Sequence, residues 1–162
     1  MNDTKNTIDH WWACAWTEDD ETLLGAKLGD AGSQAVWEGY ALLLAISTWQ
    51  DKLENLRCTI ELRGDALGVL QAVLARRGCC PEVNLIVAEI QLLLGRSMHD
   101  LFAIHIWSED NTLADQLSRI PEGASIPDEC PESRRHQVKR RRWCSLRHSI
   151  VREVNAELRV LE

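Results

Sequence analysis

Two β-prone runs set far apart constrain this chain more than any other feature. Arg57–Arg63 (RCTIELR) alternates, with Cys58, Ile60 and Leu62 on one side; Asp100–Trp107 (DLFAIHIW) is the second run. The stretch between them reads as helix. Gly64 ends the first run, and Asp65 opens a helix to about Arg77 (DALGVLQAVLARR). Gly78-Cys-Cys-Pro81 breaks the chain. A further helix runs from Pro81, a favourable first-turn residue, to Gly95, a favourable terminator, with Val83, Ile86, Val87, Ile90, Leu93 and Leu94 as its apolar stripe. Strands joined through helices cannot close as a hairpin. They are expected to lie parallel, with a right-handed connection, in an α/β sheet flanked by helices.

The flanks add elements of both kinds. Ser33–Leu53 is the strongest helix: Val36, Trp37, Tyr40, Ala41, Leu44, Ala45 and Thr48–Trp49 form a broad apolar stripe, and Ser33 is placed to cap it. His10–Trp16 (HWWACAW) is aromatic and β-prone and predicts a short strand. The TEDDE that follows reads as an acidic turn, and Thr22–Gly29 as an apolar connector. Beyond the second central strand, Ser108–Asn111 is a polar loop. Thr112–Arg119 (TLADQLSR) is a short helix with Asn111 as its cap. Pro121, Gly123, Pro127 and Pro131 mark a linker. The expected organisation is a domain over residues 1–120, a Pro-containing linker over 121–133, and a basic tail over 134–162 with a weakly amphipathic helix near Ile150–Leu161.

Composition narrows the class. A chain of 162 residues that is 45% hydrophobic can bury one compact core. No apolar run reaches the roughly 20 residues needed to span a bilayer. MNDTKNTIDH has neither the basic start nor the apolar core of a secretory signal, so a cytoplasmic or nuclear location is expected, with no membrane partner. The net charge of −7 is unevenly spread: residues 1–133 carry −13 and residues 134–162 carry +6. The acidic body argues against broad affinity for nucleic acid, whereas the run Arg134–Arg142 suits either phosphate contact and nuclear import or a solvated tail. Of six cysteines, Cys79 and Cys80 are adjacent and no CxxC pair occurs, so free thiols are expected. The seven tryptophans suit core packing, with base stacking by Trp11, Trp12 or Trp16 as the alternative.

Three carboxylates need explaining. Glu38 lies within VWEGYALLLAI, an otherwise apolar helical run where an unpartnered carboxylate is costly to bury. Asp65 follows a central strand, where open α/β sheets place ligands. Asp115 lies between Leu113, Ala114 and Leu117. Each has a plainer reading: Glu38 at a helix edge facing solvent, Asp65 as a helix N-cap, Asp115 as one more exposed helix residue.

These segments resemble the ribonuclease H domains of retroelement reverse transcriptases. IHIWSEDNTLADQLSRI is similar to the segment that ends those domains, with its Asn-x-x-Ala-Asp-x-Leu-Ser-Arg element at Asn111–Arg119. WEGYALLLAISTW resembles the helix bearing the family's glutamate, and IELRGDALGVLQ the strand-to-helix junction bearing an aspartate. The matches run from about Trp11 to Arg119 in the family's order. The resemblance implies a ribonuclease-H-like mixed sheet flanked by helices. It also implies a two-Mg²⁺ site that cuts the RNA strand of an RNA–DNA hybrid, with Glu38, Asp65 and Asp115 as metal ligands.

The chain departs from the family pattern in two places. The family's remaining ligand is an aspartate on a first strand, and only 37 residues precede Glu38 here, so the expectation is that the first strand is absent. Asp9, in NTIDHWW, is the one upstream substitute. A His-x-Pro-Gly turn in relatives is replaced by His105-Ile-Trp-Ser-Glu-Asp110; His105 matches the family histidine in place, and Glu109 and Asp110 read as a solvated turn. Loss of one bridging carboxylate weakens Mg²⁺ affinity. The expected function is therefore an impaired ribonuclease-H-type endonuclease, or else an inactive remnant that binds nucleic acid or protein. An α/β interaction module whose carboxylates are structural is the reading from outside the nuclease class.

Overall fold

The computed structural model describes residues 9–53, 58–95 and 99–138. Their elements run α1 (Glu18–Leu24), α2 (Gln34–Leu53), β1 (Thr59–Gly64), α3 (Leu67–Ala75), α4 (Pro81–Gly95), β2 (Asp100–His105) and α5 (Thr112–Ser118). Single 3₁₀ turns cover Ala31–Ser33, Ile120–Glu122 and Glu132–Arg134. The amphipathic helix expected near Ile150–Leu161 lies outside the described residues, as does most of the basic run.

The two central strands pair in parallel, from Thr59 opposite Asp100 to Gly64 opposite His105. The architecture is thus mixed α/β, helix-rich, around a two-stranded parallel sheet. One face of the sheet supplies Ile60, Leu62, Leu101 and Ala103 to the core. On the other, Glu61, Arg63 and Phe102 are exposed. β1 pairs with β2 alone, so its second edge carries no strand among the described residues.

The core sits mainly between α2 and α4. Tyr40, Leu43, Leu44, Ile86, Val87 and Ile90 are each at most 2% exposed. Burial of such side chains contributes about 1.5–3 kcal/mol apiece, which is what holds two helices with modest amphipathicity in place. The α3–α4 turn depends on Gly78. Its N–H donates to Asn84 Oδ1 at 2.7 Å. A Cβ there would lie 2.9 Å from the Asn84 backbone nitrogen and closer still to Val83.

Several local expectations are corrected. TEDDE is not a turn but the start of a helix that runs on through Leu24, so only residues 25–29 of the expected connector lie outside it. Thr17 and Asp20 form a capping box, acidic residues fill the first turn, and Gly25 closes α1 at φ 65°. Asp in place of the usual Glu or Gln hid the box. Ser33 does not cap α2. A 3₁₀ turn leads directly into the helix, and the Ser33 hydroxyl donates to Asp30 Oδ2 at 2.8 Å. His10–Trp16 is not a strand: it runs extended with a single parallel bridge, Trp11 to Arg135. Trp11 N–H donates to the Arg134 carbonyl, His136 N–H to the Trp11 carbonyl, and Trp11 Nε1 to the Pro131 carbonyl. One bridge cannot propagate a ladder. The β-prone aromatics serve packing instead, with Trp11 only 2% exposed and Trp16 against Trp37 and Tyr40.

Candidate functional site

The parallel register brings the C-terminal ends of β1 and β2 side by side. Gly64 lies opposite His105, and the Ile106 N–H donates to the Gly64 carbonyl at 3.0 Å. Asp65 therefore emerges beside the loop that follows β2. That loop is a tight turn: the N–H groups of Asp110 and Asn111 donate to the Trp107 carbonyl at 2.9 and 3.1 Å. It delivers Asn111 to the sheet edge, and Asn111 Nδ2 donates to Asp65 Oδ1 at 3.0 Å. A helix cap is the plainer reading of Asp65 and the expected role of Asn111. Neither uses its side chain that way, since α3 starts after Ala66 and α5 after Asn111 with no side-chain cap bond. The two side chains bind one another instead.

Asp115 follows one turn into α5. It takes both Arg119 nitrogens, Nε to Oδ2 at 3.2 Å and Nη2 to Oδ1 at 3.0 Å. This bidentate bond, then the carboxylate's charge, raises the Arg119 pKa. Glu38, in the first turns of α2, is half-buried and accepts from Gln34 Nε2 at 2.9 Å. Asp9, the upstream substitute, is paired with Arg134 at 3.2 Å.

Asp65 is thus joined to Asn111, Asp115 to Arg119 and Glu38 to Gln34. Among the described residues no group of three or more His, Cys, Asp or Glu gathers closely enough to hold one metal ion. An open cleft of about 590 Å³ runs between α2 and α5, lined by Ala41, Ala114 and Leu117 together with Trp12, Cys14 and Trp16. Ala41 of α2 and Ala114 and Leu117 of α5 form part of its wall; Glu38 and Asp115 do not line it. The carboxylate oxygens are hard donors of the kind Mg²⁺ takes, and each is engaged with a neighbouring side chain: Gln34, Asn111 or Arg119.

His105 is half-buried and meets Trp107 edge-on, with ring centroids 5.2 Å apart. Trp107 is 67% exposed, the most open aromatic at this end of the sheet, and it was not singled out in the sequence. Its only signal was its place at the last position of an apolar run. Glu109 and Asp110 lie exposed in the turn. The five described cysteines are free thiols; burial pushes the Cys80 and Cys130 thiols up. No helix among the described residues is long and apolar enough to cross a membrane.

No family model, curated protein or solved structure significantly matches this chain.

Proposed function

We propose that this chain is a retroelement-derived ribonuclease-H-like domain, ancestrally a Mg²⁺-dependent nuclease of RNA–DNA hybrids and impaired here. The observation that supports it best is the Asp65–Asn111 bond, joining residues 46 apart in sequence at the C-terminal ends of two parallel strands. Asp65 ends the strand segment of the resemblance, and Asn111 opens its most specific element. A site at that end of a parallel sheet is where α/β folds place ligands. Impairment follows from the carboxylates: Asp115 is paired with Arg119, and Glu38 is bonded to Gln34 of its own helix.

The separation of the three carboxylates also favours a second reading, an inactive remnant that binds nucleic acid or a protein through the same end of the sheet, where Trp107 is exposed. Purified protein incubated with Mg²⁺ and a labelled RNA–DNA hybrid separates the two. Slow cleavage that disappears in Asp65→Asn supports the impaired nuclease. Hybrid binding without cleavage supports the remnant. Cleavage unaltered by Asp65→Asn removes the site from both.

A further inference from the structure

The extended N-terminal run and the segment after the last 3₁₀ turn lie side by side, and two imidazoles meet there. The rings of His10 and His136 stand 4.8 Å apart at 82°. Nδ1 of His10 lies 2.9 Å from Nε2 of His136. The other nitrogen of His10 faces Lys52 Nζ, from the end of α2. An ammonium group only donates, which fixes the tautomers. Nε2 of His10 accepts from Lys52, Nδ1 carries the ring proton, and that proton is donated to Nε2 of His136. Two imidazole nitrogens, 126 positions apart in the chain, thus converge on one point with a single proton between them.

We propose that His10 and His136 form a two-imidazole clamp for a borderline divalent transition-metal ion of the Co²⁺, Ni²⁺ or Zn²⁺ class. Neutral imidazole is a preferred side-chain ligand for these ions. Metal–nitrogen bonds of about 2.0–2.1 Å put neighbouring ligand atoms roughly 3 Å apart at a right angle. The 2.9 Å separation meets that spacing, and on binding each ring swings to turn its nitrogen lone pair from the other ring onto the ion. On binding, the ring proton of His10 moves from Nδ1 to Nε2, and Lys52 releases Nε2 while keeping its own charge. His136 retains its proton on Nδ1. No proton leaves the pair, and the two new metal–nitrogen bonds replace one hydrogen bond between rings and one exposed contact with Lys52. Water fills the remaining positions, because Asp9 is held by Arg134. The ion would fasten the N-terminal run to the later segment where Trp11 and His136 already share a backbone bond of 2.8 Å.

The test is calorimetric titration of the full chain with Co²⁺, with the optical spectrum recorded alongside. A thiolate charge-transfer band would reveal capture by cysteine. The expected result is one ion per chain without that band, bound roughly tenfold or more weakly by His10→Ala and by His136→Ala. Lys52→Ala should bind more tightly than the unaltered protein, since the competitor for Nε2 and a like charge are both gone. A histidine pair that serves only as a structural hydrogen bond would not respond in this way. Equal affinity in the unaltered protein and both histidine variants overturns the proposal. So does a thiolate band, or a Lys52→Ala affinity that is unchanged or reduced.

Discussion

At the residue scale the molecule turns on where short polar side chains are directed. Asn111 occupies the N-cap position of α5, yet its amide reaches Asp65 rather than the helix. The bond is exposed, so its worth is modest. A double-mutant cycle over Asp65→Ala and Asn111→Ala should give a coupling of about 0.5–1 kcal/mol by denaturant titration. A coupling indistinguishable from zero would remove the link between the strand ends. Arg76 closes α3 at φ 55°, the left-handed region that suits glycine. Arg76→Gly should therefore stabilise the protein by about 0.5–1 kcal/mol, read as a raised midpoint of unfolding.

His10 supplies the residue-scale pH dependence. Desolvation, then Lys52 and His136, hold its pKa below the ordinary 6.5; Asp9 opposes this and Arg134 adds to it. The folded protein thus binds this proton less readily than the unfolded chain. The contribution to stability is present above about pH 6.5 and is lost as pH falls through the lower folded-state value. Melting curves at about pH 7.5 and 5.5 should show a smaller acid-induced fall in Tm for His10→Gln than for the unaltered protein. An identical fall would show that His10 plays no part.

The carboxylates show how far single residues were legible. Glu38 was singled out as a carboxylate in an apolar helix, yet it is half-buried and bonded to Gln34. The deeply buried carboxylates are Asp20 and Glu89, 3% and 6% exposed. Glu89 carried the same signal as Glu38, an acid amid Ile86, Val87 and Ile90. Helical periodicity puts it beside Ile86 and Leu93, at the border of the apolar stripe of α4. Asp20 was hidden inside an acidic run, where only its spacing from Thr17 marks it as a capping partner.

At the element scale, legibility followed length and periodicity. The helices α2 and α4 and the strands β1 and β2 were readable because each has a face with a regular repeat that packing can use. HWWACAW was misread because aromatic content measures fitness for a half-buried surface, not the presence of a neighbouring strand. Its partner, the stretch around Pro131–His136, has no strand signal, so the single bridge was invisible. The α3–α4 turn offers the sharpest element-scale test. Gly78→Ala would put a methyl group 2.5 Å from Val83 Cγ1 and against the Asn84 backbone. It should destabilise the protein by about 1–3 kcal/mol in chemical denaturation. A change below a few tenths of that would mean the turn relaxes freely.

At the scale of the whole molecule, the element order from α2 to α5 and the parallel strand pair were legible, because parallel strands require a long crossover and the helical stretch between the two strands supplies one. What the sequence could not supply was distance between elements. Glu38 bonds Gln34 and Asp115 bonds Arg119, each on its own helix, and how such helices are spaced depends on packing volumes that no spacing of residues along the chain records. We propose the strand ends at Asp65 and Asn111 as the site of an impaired ribonuclease-H-like domain. The most direct measurement is cleavage of a labelled RNA–DNA hybrid by the purified chain, compared with Asp65→Asn and with a matched DNA duplex. Slow cleavage is expected, confined to the hybrid, dependent on Mg²⁺ and absent in Asp65→Asn. Cleavage that survives Asp65→Asn, or that proceeds equally on the DNA duplex, would contradict it.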